Sequence, residues 1–126
     1  MTHMRQRLTA HGSATGDEIW DRYVHPGRWA EWSPQIRRIS YDFDAIRPDT
    51  SGTVFGPIGM PVRFTILSVD VKARAWRWQV ALGPIRLVLD HAVAEDETEL
   101  VIDGPAPIVL GYLPLAQLAL QRLVRG

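Results

Sequence analysis

The sequence predicts an α+β domain in which a seven-stranded, curved antiparallel sheet wraps around a C-terminal helix, with two short helices after the first strand. Three observations carry this. A helix-start signature stands at Thr15-Gly16-Asp17-Glu18. From Ile36 to Asp103 apolar and polar residues alternate, and Gly and Pro recur at short intervals. From Gly104 to Gln121 the chain carries no formal charge and returns to a helical period.

Residues 4–12 read as a weak first strand. Thr15 and Glu18 then form a capping box: the Thr15 hydroxyl can take a free amide of the first turn while Glu18 reaches back. The helix that follows puts Ile19, Trp20, Tyr23 and Val24 on one face and Asp17, Glu18, Asp21 and Arg22 towards water. His25-Pro26 ends it. Pro26, whose φ is already suited to a first turn, opens a second short helix through Trp29 and Trp32, and Ser33-Pro34 stops that one. Turn signals at Pro48 to Gly52, Gly56-Pro57, Asp70 to Lys72, Gly83-Pro84, Glu95 to Glu97 and Gly104-Pro105 cut six strands, at about 36–45, 52–57, 60–70, 73–82, 85–94 and 97–103. Gly56-Pro57-Ile58-Gly59 is a turn between two of them. Connections this short make an antiparallel meander. The last segment, about 107–124, is a helix. Its Leu113, Leu115, Ala116, Leu118, Ala119, Leu120, Leu123 and Val124 cover most of the circumference, and Gln117, Gln121 and Arg125 form a solvent stripe. Pro114 is either its first-turn residue or a kink.

The chain has 126 residues, with 14 Lys+Arg against 14 Asp+Glu, no cysteine, and five Trp. That length is expected to make one domain, 1–126, with no repeat and no linker. Charge is balanced within each half, so there is no clustered basic face to capture nucleic acid, which is not expected as a partner. Without cysteine there is neither a disulfide framework nor a thiolate metal site or nucleophile. The first 14 residues include Arg5, Arg7, His3 and His11 with no apolar run, which is unlike a signal peptide, so a cytoplasmic location is expected. Gly104 to Gln121 contains Pro105, Pro107 and Pro114 and reads as an amphipathic helix, so no transmembrane segment is expected.

Strand alternation sorts the candidates for chemistry. In 73–82 Trp76, Trp78, Val80 and Leu82 share the inward face; in 85–94 it is Ile85, Leu87, Leu89, His91 and Val93. His91 is the single ionisable group on that aliphatic face. It is either a proton donor or ligand anchor, or a core histidine satisfied by its neighbours. In 60–70 Val62, Phe64 and Ile66 are set inward, against Arg63, Thr65, Leu67 and Val69. Asp42 and Asp44 share one strand face, the spacing of paired carboxylates, or simply of a solvent face. The histidines at 3, 11, 25 and 91 share no ligand spacing, so no metal is expected. No nucleophile motif, phosphate-binding glycine loop or dinucleotide fingerprint occurs, and no cofactor is expected. Trp20, Trp29 and Trp32 brace the short helices, whereas Trp76 and Trp78 either fill the concave face or wall an aromatic pocket.

The run His25-Pro26-Gly27-Arg28-Trp29-Ala30-Glu31-Trp32-Ser33-Pro34 followed by Ile36, with Ile19-Trp20-Asp21 before it and Val62 to Asp70 leading into Trp76-Arg77-Trp78 after it, resembles the START/Bet v 1-like (SRPBCC) superfamily. The similarity is to its polyketide cyclase/dehydrase-like branch of small bacterial proteins. It spans nearly the whole chain, and Trp32-Ser33-Pro34 is its most specific part. The resemblance implies a helix-grip fold with an apolar cavity between sheet and last helix, often used for lipids, polyketides or other hydrophobic molecules. It implies no single reaction. The chain departs from the commoner pattern in its small size and in the prolines near the start of its short last helix.

On this basis the expected function is binding of a small hydrophobic or aromatic ligand. The candidate lining is Trp29, Phe64, Ile66, Trp76, Trp78, Leu89, His91, Tyr112 and Ala116, with Tyr112 at the cavity mouth. Two alternatives stay open at this point: a cyclase/dehydratase-type enzyme using His91 as acid/base, and a protein-interaction module built on the groove beside the last helix. A homodimer is also an open assembly state.

Overall fold

The computed structural model describes residues 2–56 and 59–126, so Pro57 and Ile58 of the expected Gly56 to Gly59 turn lie outside the described residues. The elements in chain order are β1 (His3–His11), α1 (Gly16–Val24), a 3-10 turn (Pro26–Arg28), α2 (Trp29–Trp32), β2 (Arg38–Ser40), β3 (Thr50–Phe55), β4 (Pro61–Asp70), β5 (Ala75–Leu82), β6 (Ile85–Ala94), β7 (Glu97–Pro105) and α3 (Ala106–Leu123). All seven strands form one antiparallel sheet in the order β1-β7-β6-β5-β4-β3-β2. The meander β2 to β7 is completed by β1, which pairs with β7 along its whole length and leaves β1 and β2 as the two open edges.

Local chemistry explains the elements that the sequence placed. The capping box closes on α1: the Glu18 amide donates to Thr15 Oγ1 at 3.2 Å and the Thr15 amide donates to Glu18 Oε1 at 3.0 Å. The turn from β5 to β6 has two residues, and Gly83 takes φ 58° there, a conformation that suits glycine ahead of Pro84. On the inner face Ile19, Tyr23, Phe64, Ile66, Leu89, Ile102, Val109, Leu120 and Leu123 are almost fully buried, so helices and sheet share one core. Helix α3 packs on β1, β7 and α2. Arg22 fixes its far end, donating from Nη1 to the carbonyls of Leu123 and Arg125 at 2.5 and 2.7 Å.

Three expectations need correction. Segment 36–45 is a strand only at Arg38–Ser40; residues 41–49 form a loop held by side chains. The Tyr41 hydroxyl accepts from the Arg47 amide at 3.1 Å and bonds Thr50 Oγ1 at 2.6 Å, and the Ile46 amide donates to the Val24 carbonyl at 2.9 Å while Ile46 enters the core. Asp42 and Asp44 are therefore exposed loop residues and not a pair on a strand face. In β4 the register shifts between Ile66, opposite Trp78, and Ser68, opposite Arg77. This bulge leaves Leu67 at the surface and turns Val69, expected outward, onto the core. In α3 Pro114 lies inside the helix, and the solvent face is wider than the expected stripe, of which Gln121 and Arg125 are exposed and Gln117 is not. Leu110, Leu115 and Leu118 are 53%, 43% and 46% exposed, whereas Gln117 is half-buried with Nε2 donating to the Thr9 carbonyl at 3.3 Å. Among the described residues no helix is long and apolar enough to cross a membrane.

Candidate functional site

Strands β5 and β6 build the wall of the site. Their register sets Trp76 opposite His91, Trp78 opposite Leu89, Val80 opposite Leu87 and Leu82 opposite Ile85, all on the inner face. Between this wall and α3 lies a cavity of about 300 Å³. Helix α3 contributes Ile108, Tyr112, Leu115, Ala116, Ala119 and Leu120, and the segment from α2 to Ile36 closes one side with Trp29, Trp32, Ser33 and Gln35. Met60, Leu82 and Leu115 are both exposed and part of the lining, so the cavity reaches the surface beside these three residues.

Among the described residues no Asp, Glu, Lys or Arg lines the cavity. The indole of Trp76 is stacked on His91, with ring centroids 4.7 Å apart at 12°, and on Trp29 at 5.6 Å and 26°. Trp29 is pinned by its own N–H, which donates to the Tyr23 carbonyl at 2.9 Å, and lies 5.0 Å from the Trp78 ring. The rigid aromatic wall therefore includes a residue of α2.

His91 is 5% exposed, and both ring nitrogens are engaged. Trp78 Nε1–H, which can only donate, gives its hydrogen bond to His91 Nε2 at 3.1 Å. The proton of the neutral ring therefore sits on Nδ1 and points to the Tyr23 hydroxyl at 3.1 Å. The Tyr23 hydroxyl is in turn bonded to Thr98 Oγ1, which donates to the Ala92 carbonyl at 3.2 Å. Burial drives the His91 pKa from 6.5 down to about 3 and pushes the Tyr23 and Tyr112 hydroxyls up, so all three are neutral at pH 7. Of the two readings of this histidine, the geometry matches one satisfied by its neighbours.

Of the residues expected to line the site, Trp29, Trp76, Trp78, Leu89, His91, Tyr112 and Ala116 come together around the cavity. Phe64 and Ile66 do not. Phe64 is buried behind the wall, 5.5 and 5.6 Å from Trp29 and Trp78, and Ile66 is fully buried opposite Trp78. Sequence reasoning missed Ser33, Gln35 and Ile108. Ser33-Pro34 reads only as a helix stop, and nothing local to Gln35 marks it as facing a cavity. Trp76 Nε1 and Gln35 Oε1 are buried with no hydrogen-bond partner. Among the described residues no group of three or more His, Cys, Asp or Glu could hold a metal ion.

The chain matches no protein-family model and no curated protein sequence. Its fold is matched by solved structures. Ginseng major latex-like protein 151 from Panax ginseng aligns over 97% of this chain and 95% of its own, with a TM-score of 0.80 at 11% identity. Ara h 8.0201 aligns over 98% and 96% with a TM-score of 0.72 at 10% identity. Mll3558 from Rhizobium loti aligns over 97% and 96% with a TM-score of 0.70 at 11% identity. The seven-stranded open sheet gripping a C-terminal helix is thus the Bet v 1-like helix-grip fold.

Proposed function

We propose that this helix-grip chain is a binding protein that holds one small, uncharged, largely hydrophobic or aromatic molecule between β5, β6 and α3. The observation that carries the reading is the cavity: about 300 Å³, walled by Trp29, Trp76 and Trp78, with no Asp, Glu, Lys or Arg among the described residues of its lining. Its size is at the lower end of ligand pockets. An engineered cavity of roughly 150 Å³ holds benzene, so about twice that volume suits a compound of two to three rings. The match to Bet v 1-like structures supports a ligand-holding fold in general. A carboxylate or ammonium group on the ligand has no counter-ion inside and is costly to desolvate, so neutral compounds are favoured over fatty-acid head groups.

Binding is favoured over cyclase chemistry by the state of His91. A general acid or base works best with a pKa near the operating pH and a free nitrogen directed at the substrate. His91 has neither: its pKa lies at about 3 and both nitrogens are bonded within the protein.

The test is a thermal-shift screen of neutral ring compounds, including naphthols, flavonoids and polyketide-like aromatics, alongside lipids. A ligand at 100 times its Kd is expected to stabilise the fold by about 2.7 kcal/mol. If every compound leaves the melting temperature unchanged, the reading fails. A second reading is supported by Leu110, Leu115 and Leu118, whose exposure on α3 supplies an apolar strip for a protein contact. Concentration-dependent sedimentation that Leu118→Glu abolishes would favour it.

A further inference from the structure

One end of the chamber is polar, although most of its wall is hydrocarbon and indole. Ser33, 2% exposed, caps α2 and starts the turn in which the Ile36 amide donates to the Ser33 carbonyl at 3.1 Å. Its hydroxyl has no hydrogen-bond partner among the described residues. Gln35, in the same turn, donates from Nε2 to the Tyr112 hydroxyl at 2.8 Å, and its Oε1 is buried without a partner. The Tyr112 hydroxyl accepts that bond and has no described acceptor for its own proton. All three residues line the cavity. Buried polar groups are nearly always paired in native proteins, so the orphaned Gln35 oxygen, with the Tyr112 hydroxyl bonded to the same side chain and the Ser33 hydroxyl in the same turn, calls for an outside partner.

We infer that Ser33, Gln35 and Tyr112 form an anchoring site for one hydroxyl group of a neutral ring compound, fixing its orientation with the rings towards Trp76 and Trp78. The inference rests on the binding reading above and narrows its ligand class to phenols and alcohols. A hydroxyl both donates and accepts: it gives its proton to Gln35 Oε1 and takes one from Ser33 or Tyr112. A pure hydrocarbon satisfies none of the three. A carboxylate accepts but cannot donate, so it faces the Gln35 oxygen with repulsion and meets no cation among the described lining residues. Burial raises the Tyr112 pKa, which keeps its hydroxyl a donor.

The test uses three probes of one shape: 2-naphthol, 2-methylnaphthalene and 2-naphthoate, titrated calorimetrically against the full chain. The wild type is expected to bind 2-naphthol at least about fivefold more tightly than 2-methylnaphthalene, the ratio one net hydrogen bond gives, and 2-naphthoate most weakly. Ser33→Ala and Tyr112→Phe should each lower that ratio towards one. Because both probes titrate the same folded population, the ratio is insensitive to partial unfolding of a variant. A wild-type ratio of one, or a ratio that survives the double variant, overturns the anchor and leaves the chamber reading standing if 2-methylnaphthalene still binds. Binding of no probe overturns both.

Discussion

His91 is neutral because each of its nitrogens has a partner that dictates its role. Trp78 cannot accept, so Nε2 must. A second proton would set two N–H groups against each other in a site that burial desolvates. The folded-state pKa of about 3 lies below the ordinary 6.5, so on acidification the unfolded chain binds the proton first. Stability from this site is complete above about pH 6.5 and is lost as pH falls towards about 3, at roughly 1.4 kcal/mol per pH unit. Urea unfolding between pH 7 and 4.5 should therefore show a slope steeper in the wild type than in His91→Gln by about one proton. Equal slopes would mean that His91 does not titrate across folding. At pH 7 His91→Ala is expected to cost about 3 kcal/mol, from the space left and the orphaned Trp78 N–H, read from the urea midpoint. Alternation along β6 was enough to set His91 inward, and alternation along β5 put Trp78 on the same face. The contact with Tyr23 was hidden, because it depends on how α1 docks across 68 residues of chain. Ser33 was hidden for another reason: a serine before a proline has a sufficient local explanation as a helix stop.

Helix α3 shows where element-level reasoning holds and where it stops. Pro114 has no amide for the Leu110 carbonyl, and both residues are exposed, so water can take the unpaired oxygen. An interior proline costs about 3 kcal/mol relative to alanine, of which about 1 is returned by its restriction of the unfolded chain. Pro114→Ala is thus expected to stabilise the protein by about 1–2 kcal/mol, raising the melting temperature by roughly 3–8 °C in a thermal circular-dichroism scan. A lowered melting temperature would show that Pro114 is what seats Val109 and Ala116 in the core. The start of α1 was readable because a capping box is complete within four residues. The solvent face of α3 was not. Its apolar residues surround the axis, and those that packing buries are Val109, Ala116, Ala119, Leu120 and Leu123, so which leucines remain outside depends on the packing angle. The loop 41–49 escaped for a related reason. Tyr41-Asp42-Phe43-Asp44 alternates like a strand, but Tyr41 bonds across to Arg47 and Thr50, and the Arg47 guanidinium lies 4.3 Å over the Phe43 ring.

For the molecule as a whole, element order was enough for the sheet and for the helix it grips, since short connections leave an antiparallel meander few alternatives. The space between them was not readable, because a cavity is a small difference between the volume the backbone encloses and the volume its side chains fill. Whether that space is open at equilibrium can be decided with Ala116, which is 2% exposed and faces it from α3. Ala116→Leu adds three carbons. In a core already filled, such overpacking destabilises by about 1–3 kcal/mol. In an open chamber the added carbons bury into free volume at about 0.8 kcal/mol each at most, and a net gain of about 1–2 kcal/mol is expected. The same substitution takes volume that a ligand would use, so affinity for 2-methylnaphthalene should fall by about tenfold or more, equivalent to about 1.4 kcal/mol. Opposite signs for stability and binding are the mark of a chamber kept open for an occupant. A loss of stability with unchanged binding would instead assign the indole wall of Trp29, Trp76 and Trp78 to packing alone.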